Sequence, residues 1–275
     1  MNPALKVNNL TKMYGNPCPD CIKNTGPDYG RNICPVCNSV IACAGISFEV
    51  MPGEILGIVG ESGSGKSTIV RSLYFDIKPT IGEAYLQCYG DENIFMLNSQ
   101  KKRNIRELHF GMVYQNPQMG LRLDVTSGGN IAEKLLAANW RNVGRIRERA
   151  GRLLERTEIP LERMDETPRN FSGGMQQRVQ IAKALANNPD VLLLDELTTG
   201  LDVSVQARIL DLIKDIRRNT NVAIVLITHD LGVIKLLAER TIVLKDGRIV
   251  EMGLTDQILE DPQHEYTQLL VNSVL

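Results

Sequence analysis

Neither sign of charge prevails in this chain: 31 Lys and Arg stand against 32 Asp and Glu over 275 residues. A chain without a basic excess lacks the electrostatic footprint of phosphate-backbone binding, so nucleic acid is not an expected partner. No apolar run approaches the ~18 residues that span a bilayer, and the opening MNPALKVNNL has neither the charged end nor the apolar stretch of a signal peptide. The expectation is a cytoplasmic protein. No internal repeat and no low-complexity tail is visible. What is present is a 43% hydrophobic composition, enough for one large domain or two modest ones without covalent staples. In a reducing compartment six cysteines are poor candidates for disulfides, and four of them fall into two Cys-Pro-x-Cys knuckles between residues 18 and 37.

The order of segments predicts an α/β chain. Leu5 to Val7 reads as an edge strand, followed by a turn at Gly15 and Asn16 and then the Cys-rich stretch. IACAGISFEV alternates like a strand, and ILGIVG is a continuous apolar run ending in glycine, the pattern of a buried parallel strand. Lys66 to Leu73 follows as a helix, and IRELHFGMVYQNPQ reads as a strand ending near Tyr114. From about Met119 to Thr167 the chain turns Arg-, Leu-, Ala- and Glu-rich with helical spacing, a helical lobe. NFSGGMQQRVQIAKALANNP gives another helix, VLLLDE a buried strand, and the remainder helix, strand, helix and hairpin, so the core sheet is expected to be mixed and covered by helices.

Two stretches carry phosphate chemistry. GESGSGKST comprises Gly60, Glu61, Ser62, Gly63, Ser64, Gly65, Lys66, Ser67 and Thr68, and its first eight residues match G-x-x-x-x-G-K-[ST] in the required strand-loop-helix setting. Its glycines let backbone N–H groups converge on phosphate oxygens, the helix beginning at Lys66 adds its positive end, Lys66 reaches the outer phosphates, and Ser67 binds Mg²⁺. ATP with Mg²⁺ is the expected ligand. VLLLDE places Asp195 and Glu196 just after a buried strand, where Asp195 can hold the metal and Glu196 can orient an attacking water.

With Tyr14, Gln115, FSGGMQQR at 171–178, TTGLD at 198–202 and LITHD with His229, these motifs resemble the ATP-binding cassette (ABC) ATPases in order and spacing from Leu5 to about Gly253. The resemblance implies a P-loop NTPase fold of the ABC type: one nucleotide-binding domain over residues 1–275, with a helical subdomain at 119–176 and a small insert at 15–42. It further implies that Tyr14 stacks on adenine, that Gln115 senses the metal, and that His229 contacts the γ-phosphate. Catalysis would rest on Glu196, His229, Gln115 and Lys66, with Mg²⁺ served by Ser67, Gln115 and Asp195. Ser172, Gly173 and Gly174 open a helix whose N–H groups suit phosphate; in this family that phosphate belongs to the opposite subunit's ATP, so a head-to-tail, ATP-sandwich dimer is implied, and Asp202 is among the implied nucleotide-binding residues. Leu197 departs from the family, which commonly has proline after the glutamate, and is expected to loosen the turn that presents Glu196.

Within the family, TTGLDVSVQARILDLI and DPQHEYTQLLVNSVL resemble the peptide and nickel importer group. NPQMGLRLDVTSGGNIAEKLL, FSGGMQQRVQIAKAL and GLTDQILEDPQHEYTQLLVNSVL resemble more closely the PhnK group, the ABC subunits of carbon-phosphorus lyase systems, over nearly the whole chain except residues 15–42. This implies an ATPase docking on an enzyme core that cleaves phosphonate C–P bonds; the competing reading is a transport motor docking on a membrane permease. A scaffold that binds ATP without turnover is disfavoured by the joint presence of Lys66, Asp195, Glu196 and His229.

The insert is foreign to the resemblance and is read from chemistry alone. Cys18, Cys21, Cys34 and Cys37 have zinc-knuckle spacing, and the twelve residues between the pairs can fold back into a tetrahedral S₄ site. Zinc is preferred over iron-sulfur because a closed tetrathiolate needs no redox partner. A structural staple that assists partner recognition, with no part in phosphate chemistry, is expected. Cys43 and Cys88 are expected to be packed thiols.

Overall fold

The apolar runs ILGIV and AIVLI are buried at every position, and VLLLD likewise, as strands covered on both faces must be. These runs form three of nine strands in the computed structural model, which describes residues 2–273. In chain order the strands are β1 (Leu5–Tyr14), β2 (Val40–Val50), β3 (Ile55–Val59), β4 (Ile81–Leu86), β5 (Phe110–Val113), β6 (Val191–Asp195), β7 (Ala223–Ile227), β8 (Arg240–Lys245) and β9 (Arg248–Leu254). The α-helices are α1 (Lys66–Leu73), α2 (Ser99–Leu108), α3 (Pro117–Gly120), α4 (Ser127–Ala137), α5 (Val143–Arg156), α6 (Gly173–Ala184), α7 (Val203–Asn219), α8 (Leu231–Leu237), α9 (Thr255–Glu260) and α10 (Glu265–Asn272). Among the described residues no helix is long and apolar enough to cross a membrane. Two units divide the chain: residues up to 98 together with those from 223 onward, and residues 99–222.

The first unit contains a three-stranded antiparallel sheet in the order β2-β1-β4 and the strands β7-β3-β8-β9, parallel except for β9. The mixed sheet expected from the sequence is present. Leu56, Ile58 and Val59 of β3 are fully buried, each contributing on the order of 1.5–3 kcal/mol through burial of its side chain. β1 corrects the edge-strand expectation. It runs ten residues and lies between β2 and β4, because a local irregularity at Asn9, whose φ is +51°, breaks the alternation after Val7 while the chain resumes pairing at Leu10. The Cys-rich segment leaves β1 at Tyr14 and returns into β2 at Val40, and these two residues are register partners.

The second unit combines the parallel pair β5-β6 with α2 to α7. IRELHFGMV is not one strand: its first part ends α2, with Ile105 the buried residue of that helix, and pairing begins only at Phe110. Side chains close the exposed N–H groups at successive helix starts, Thr126 on α4, Asn142 on α5, Ser172 on α6 and Asp202 on α7. Asn130 in α4 is wholly buried and fully engaged, accepting from Arg122 N and donating to the carbonyls of Arg122, Val125 and Thr126.

Candidate functional site

Residues 60–65 form the loop between β3 and α1, and its shape is dictated by close approaches that exclude a side chain. At Gly60, with φ +152°, a Cβ would lie 2.1 Å from the carbonyl oxygen of Leu244; at Gly65, with φ +103°, it would lie 2.0 Å from that of Ala42. The loop is thus pressed against β8 and β2 with bare backbone, as a phosphate cradle requires. Lys66 is buried, and its Nζ donates to the carbonyls of Gly60 and Glu61, both at 2.7 Å. The ammonium is therefore folded back over the loop it would share with a polyphosphate. Ser67 and Thr68 follow in the first turn of α1. Tyr14, at the end of β1, is 41% exposed with Lys12 Nζ 4.7 Å from its ring centre. His229 is exposed in the short link between β7 and α8, where Asp230 caps the following helix.

In the second unit Asp195 ends β6 and is 5% exposed, and Glu196 follows with φ +47°, a left-handed conformation uncommon for a residue with a side chain. Gln115 Nε2 donates to Glu196 Oε2 at 2.8 Å, and Thr199 Oγ1 donates to the same oxygen at 3.1 Å. Leu197, where the family commonly has proline, is buried, 2% exposed. Ser172 and Gly173 are exposed at the start of α6, whereas Gly174 is buried where a Cβ would meet Val205 Cγ1 at 2.5 Å. Asp202 accepts from Ser204 Oγ and Val205 N, which hold its carboxyl below the usual carboxylate range.

One functional element escapes the motif reading. Gln180 Oε1 accepts from Tyr114 N at 2.8 Å and its Nε2 donates to Tyr114 O at 3.1 Å, so α6 clamps the residue before Gln115. The available signal was the pair Gln177 and Gln180, three apart on one buried helix face, since buried amides require partners.

The four knuckle cysteines come together. Their sulfurs all lie within 4.8 Å of one another, with separations of 3.5 Å for Cys18–Cys21, 3.8 Å for Cys18–Cys34 and 3.3 Å for Cys21–Cys37. A tetrahedron with metal–sulfur bonds of about 2.3 Å has edges of about 3.8 Å, so the donor set fits a four-coordinate thiolate ion. Cys21 and Cys34 are buried with Ile41 and Ala44. Hydrogen bonds from Ser39 bring the Cys37 thiol down to about 5, whereas burial pushes Cys21 up to about 12. Cys43 is buried as expected, with burial pushing its thiol up to about 11, but Cys88 is exposed and not packed, because its short helical turn follows the end of β4 at the surface.

The sequence profile described as ABC transporter matches residues 43–199. The putative phosphonates utilization ATP-binding protein PhnK of Escherichia coli (strain K12) is 45% identical over 99% of this chain and 98% of its own length. The oligopeptide transport ATP-binding protein OppD of Bacillus subtilis (strain 168) is 39% identical over 86% of this chain and 67% of its own. Among solved structures, the dimeric bacterial ABC transporter cassette MJ0796 superimposes with a TM-score of 0.75 at 30% identity, covering 91% of this chain and 98% of that one.

Proposed function

The chain belongs to the ABC ATPases, which bind and hydrolyse ATP and whose cassettes dimerise, and from that premise we propose that it is the ATP-hydrolysing subunit of a carbon-phosphorus lyase system for phosphonate degradation. The observation that carries the reading is the likeness to PhnK, which runs the length of both chains, whereas the likeness to OppD leaves a third of that protein unmatched. ATP binding would drive two copies together, and the resulting motion would be transmitted to the enzyme core. Purification under gentle conditions followed by mass identification of stable partners tests this. A phosphonate-cleaving core is expected; a membrane permease would replace the reading with that of an importer ATPase, which the 39% identity to OppD favours next.

The residue roles follow from the motifs and from the geometry around Glu196. By the family motifs, Lys66 and the loop N–H groups would hold the phosphates, Ser67, Gln115 and Asp195 would serve Mg²⁺, Tyr14 would stack on the base, and His229 would meet the γ-phosphate. Mg²⁺ supplies charge neutralisation of the phosphate oxygens. Glu196 would orient the attacking water and accept its proton, its carboxylate being held at Oε2 by Gln115 and Thr199. Ser172, Gly173, Gly174 and Asp202 act on the ATP of the second copy. Each copy then holds only part of the contacts, so affinity and assembly are linked. Accordingly Ser172→Arg, at an exposed helix start, is expected to retain nucleotide binding by the monomer and to lose the ATP-dependent dimer; light scattering with and without MgATP checks this, and undiminished dimerisation would remove the composite site.

Cys18, Cys21, Cys34 and Cys37 are proposed to hold one Zn²⁺ as a structural ion, since four thiolates leave no open coordination position. Elemental analysis is expected to find one zinc per chain, released in the double variant Cys18→Ser with Cys34→Ser. Visible charge-transfer absorption with iron in its place would assign a different ion.

A further inference from the structure

The insert does not stand clear of the phosphate loop. Asn32, between the two knuckles, lines a cavity of about 250 Å³ together with residues 61–64 of the loop, Lys245 and Asp246 of the β8–β9 turn, and Tyr266 of α10. We propose that Asn32 is a nucleotide-binding residue and that the tetrathiolate metal, by holding Asn32 against the loop, sets the affinity of this ATPase for its nucleotide. The proposal rests on the zinc reading above.

Three observations carry it. The backbone of Asn32 is fixed while its side chain is free: Ile41 N donates to Asn32 O at 2.7 Å, yet the carboxamide has no hydrogen-bond partner among the described residues. The other side chains on the cavity wall carry both signs of charge. Lys245 has no ion pair among the described residues and lies with its Nζ 4.9 Å from the ring centre of Tyr266, whose hydroxyl accepts from Glu61 N at 3.1 Å. The carboxylates of Glu61 and Asp246 also line the cavity, so a polyphosphate is met there by backbone N–H groups, Lys245 and the neutral amide, not by a general positive field.

Finally, the metal knuckle and the phosphate loop share one support. Cys34 N donates to Ser39 O and Asn38 N to Cys34 O, closing the second knuckle directly onto the start of β2. Cys34 is buried against Ile41, the next residue is Ala42, and the Ala42 carbonyl is the one that presses on Gly65. Ala44 N donates to Gly247 O and Gly247 N to Ser64 O, a second route from β2 to the loop. The segment between Tyr14 and Val40 is mostly polar and, apart from the cluster around the cysteines, has no core of its own. Without the ion Asn32 keeps only backbone contacts such as that with Ile41 N and loses the knuckle that anchors the stretch on either side of it. On this proposal the insert takes part in nucleotide binding, beyond the structural staple expected from the sequence.

The linkage is reciprocal: if the ion raises nucleotide affinity, nucleotide must raise affinity for the ion by the same factor. The first measurement is the equilibrium partition of zinc between the purified protein and a chromogenic chelator, with and without a non-hydrolysable ATP analogue and Mg²⁺; less zinc released with nucleotide is expected. The second is affinity for a fluorescent ATP analogue in Asn32→Ala and Asn32→Asp, each first shown to hold one zinc per chain. About tenfold weaker binding is expected for alanine, the loss of one hydrogen bond to a charged partner, and a larger loss for aspartate, which repels phosphate. A merely structural role reverses that order, because aspartate preserves the shape that alanine removes. Parental affinity in both variants, together with zinc release indifferent to nucleotide, overturns the proposal. Absence of metal from the parent protein overturns the zinc reading instead and the linkage with it, while the Asn32 variants still decide the contact.

Discussion

Replacement of Glu196 by glutamine is expected to slow ATP turnover by about 10²–10⁴-fold, the range that a positioned general base contributes, while leaving nucleotide binding intact. Glutamine has the size of glutamate and retains an oxygen that can accept from Gln115 Nε2 and Thr199 Oγ1, now at 2.8 and 3.1 Å from Glu196 Oε2. The turn that presents it keeps its supports, the left-handed φ of +47° and the buried Leu197, neither of which depends on charge. What the amide cannot do is take a proton from water. The variant should therefore hold MgATP and accumulate the nucleotide-bound dimer that the parent only passes through. Phosphate release under steady-state conditions reads the first effect, and light scattering the second. Parental turnover would place the base elsewhere.

The elements that were legible in the sequence are those whose physics is local. The phosphate motif is nine consecutive residues after a five-residue apolar run, and residues 60–68 form the loop after β3 and the first turn of α1 as expected. The knuckle spacing likewise foretold the cluster, since each Cys-Pro-x-Cys pair closes on itself: Cys18 N donates to the sulfur of Cys21 at 3.2 Å. What was not legible depends on residues far apart in sequence. β1 looked like an edge because its alternation breaks at Asn9, and only the pairing of β4, some seventy-five residues later, makes it central. Gln180 reads as one polar residue in a helix until Tyr114 is beside it. The same holds for Asn32: a polar residue in a polar loop carries no signal of its own, and its place follows from Ile41, which the insert rejoins after the second knuckle.

The second large effect is expected at Gly65. Alanine there pays two costs that can be separated. One is conformational: φ is +103°, and holding a residue with a Cβ in such a region costs on the order of 1–3 kcal/mol. The other is steric, since the new Cβ would stand 2.0 Å from Ala42 O, backbone in a paired strand that has little freedom to yield. Gly63 supplies the control, with φ +84° and nothing within 4 Å of its Cβ position. In nucleotide-free protein Gly63→Ala should show the conformational cost alone, a fall in Tm of roughly 2–4 °C per kcal/mol for a chain of this size, and Gly65→Ala a larger fall. The strain at Gly65 is relieved by moving either the loop or β2. If the loop moves, Lys66 and the N–H groups that begin α1 swing away from the phosphates. A displacement worth about 2.7 kcal/mol of binding weakens MgATP roughly a hundredfold. If β2 moves, it disturbs the strand that carries Ile41 and hence the seat of Cys34, so zinc release should increase in the same variant. Calorimetric titration of nucleotide and the chelator assay distinguish these two routes. Parental affinity and parental zinc retention in Gly65→Ala would mean that the close approach between β2 and the phosphate loop is not what shapes the site.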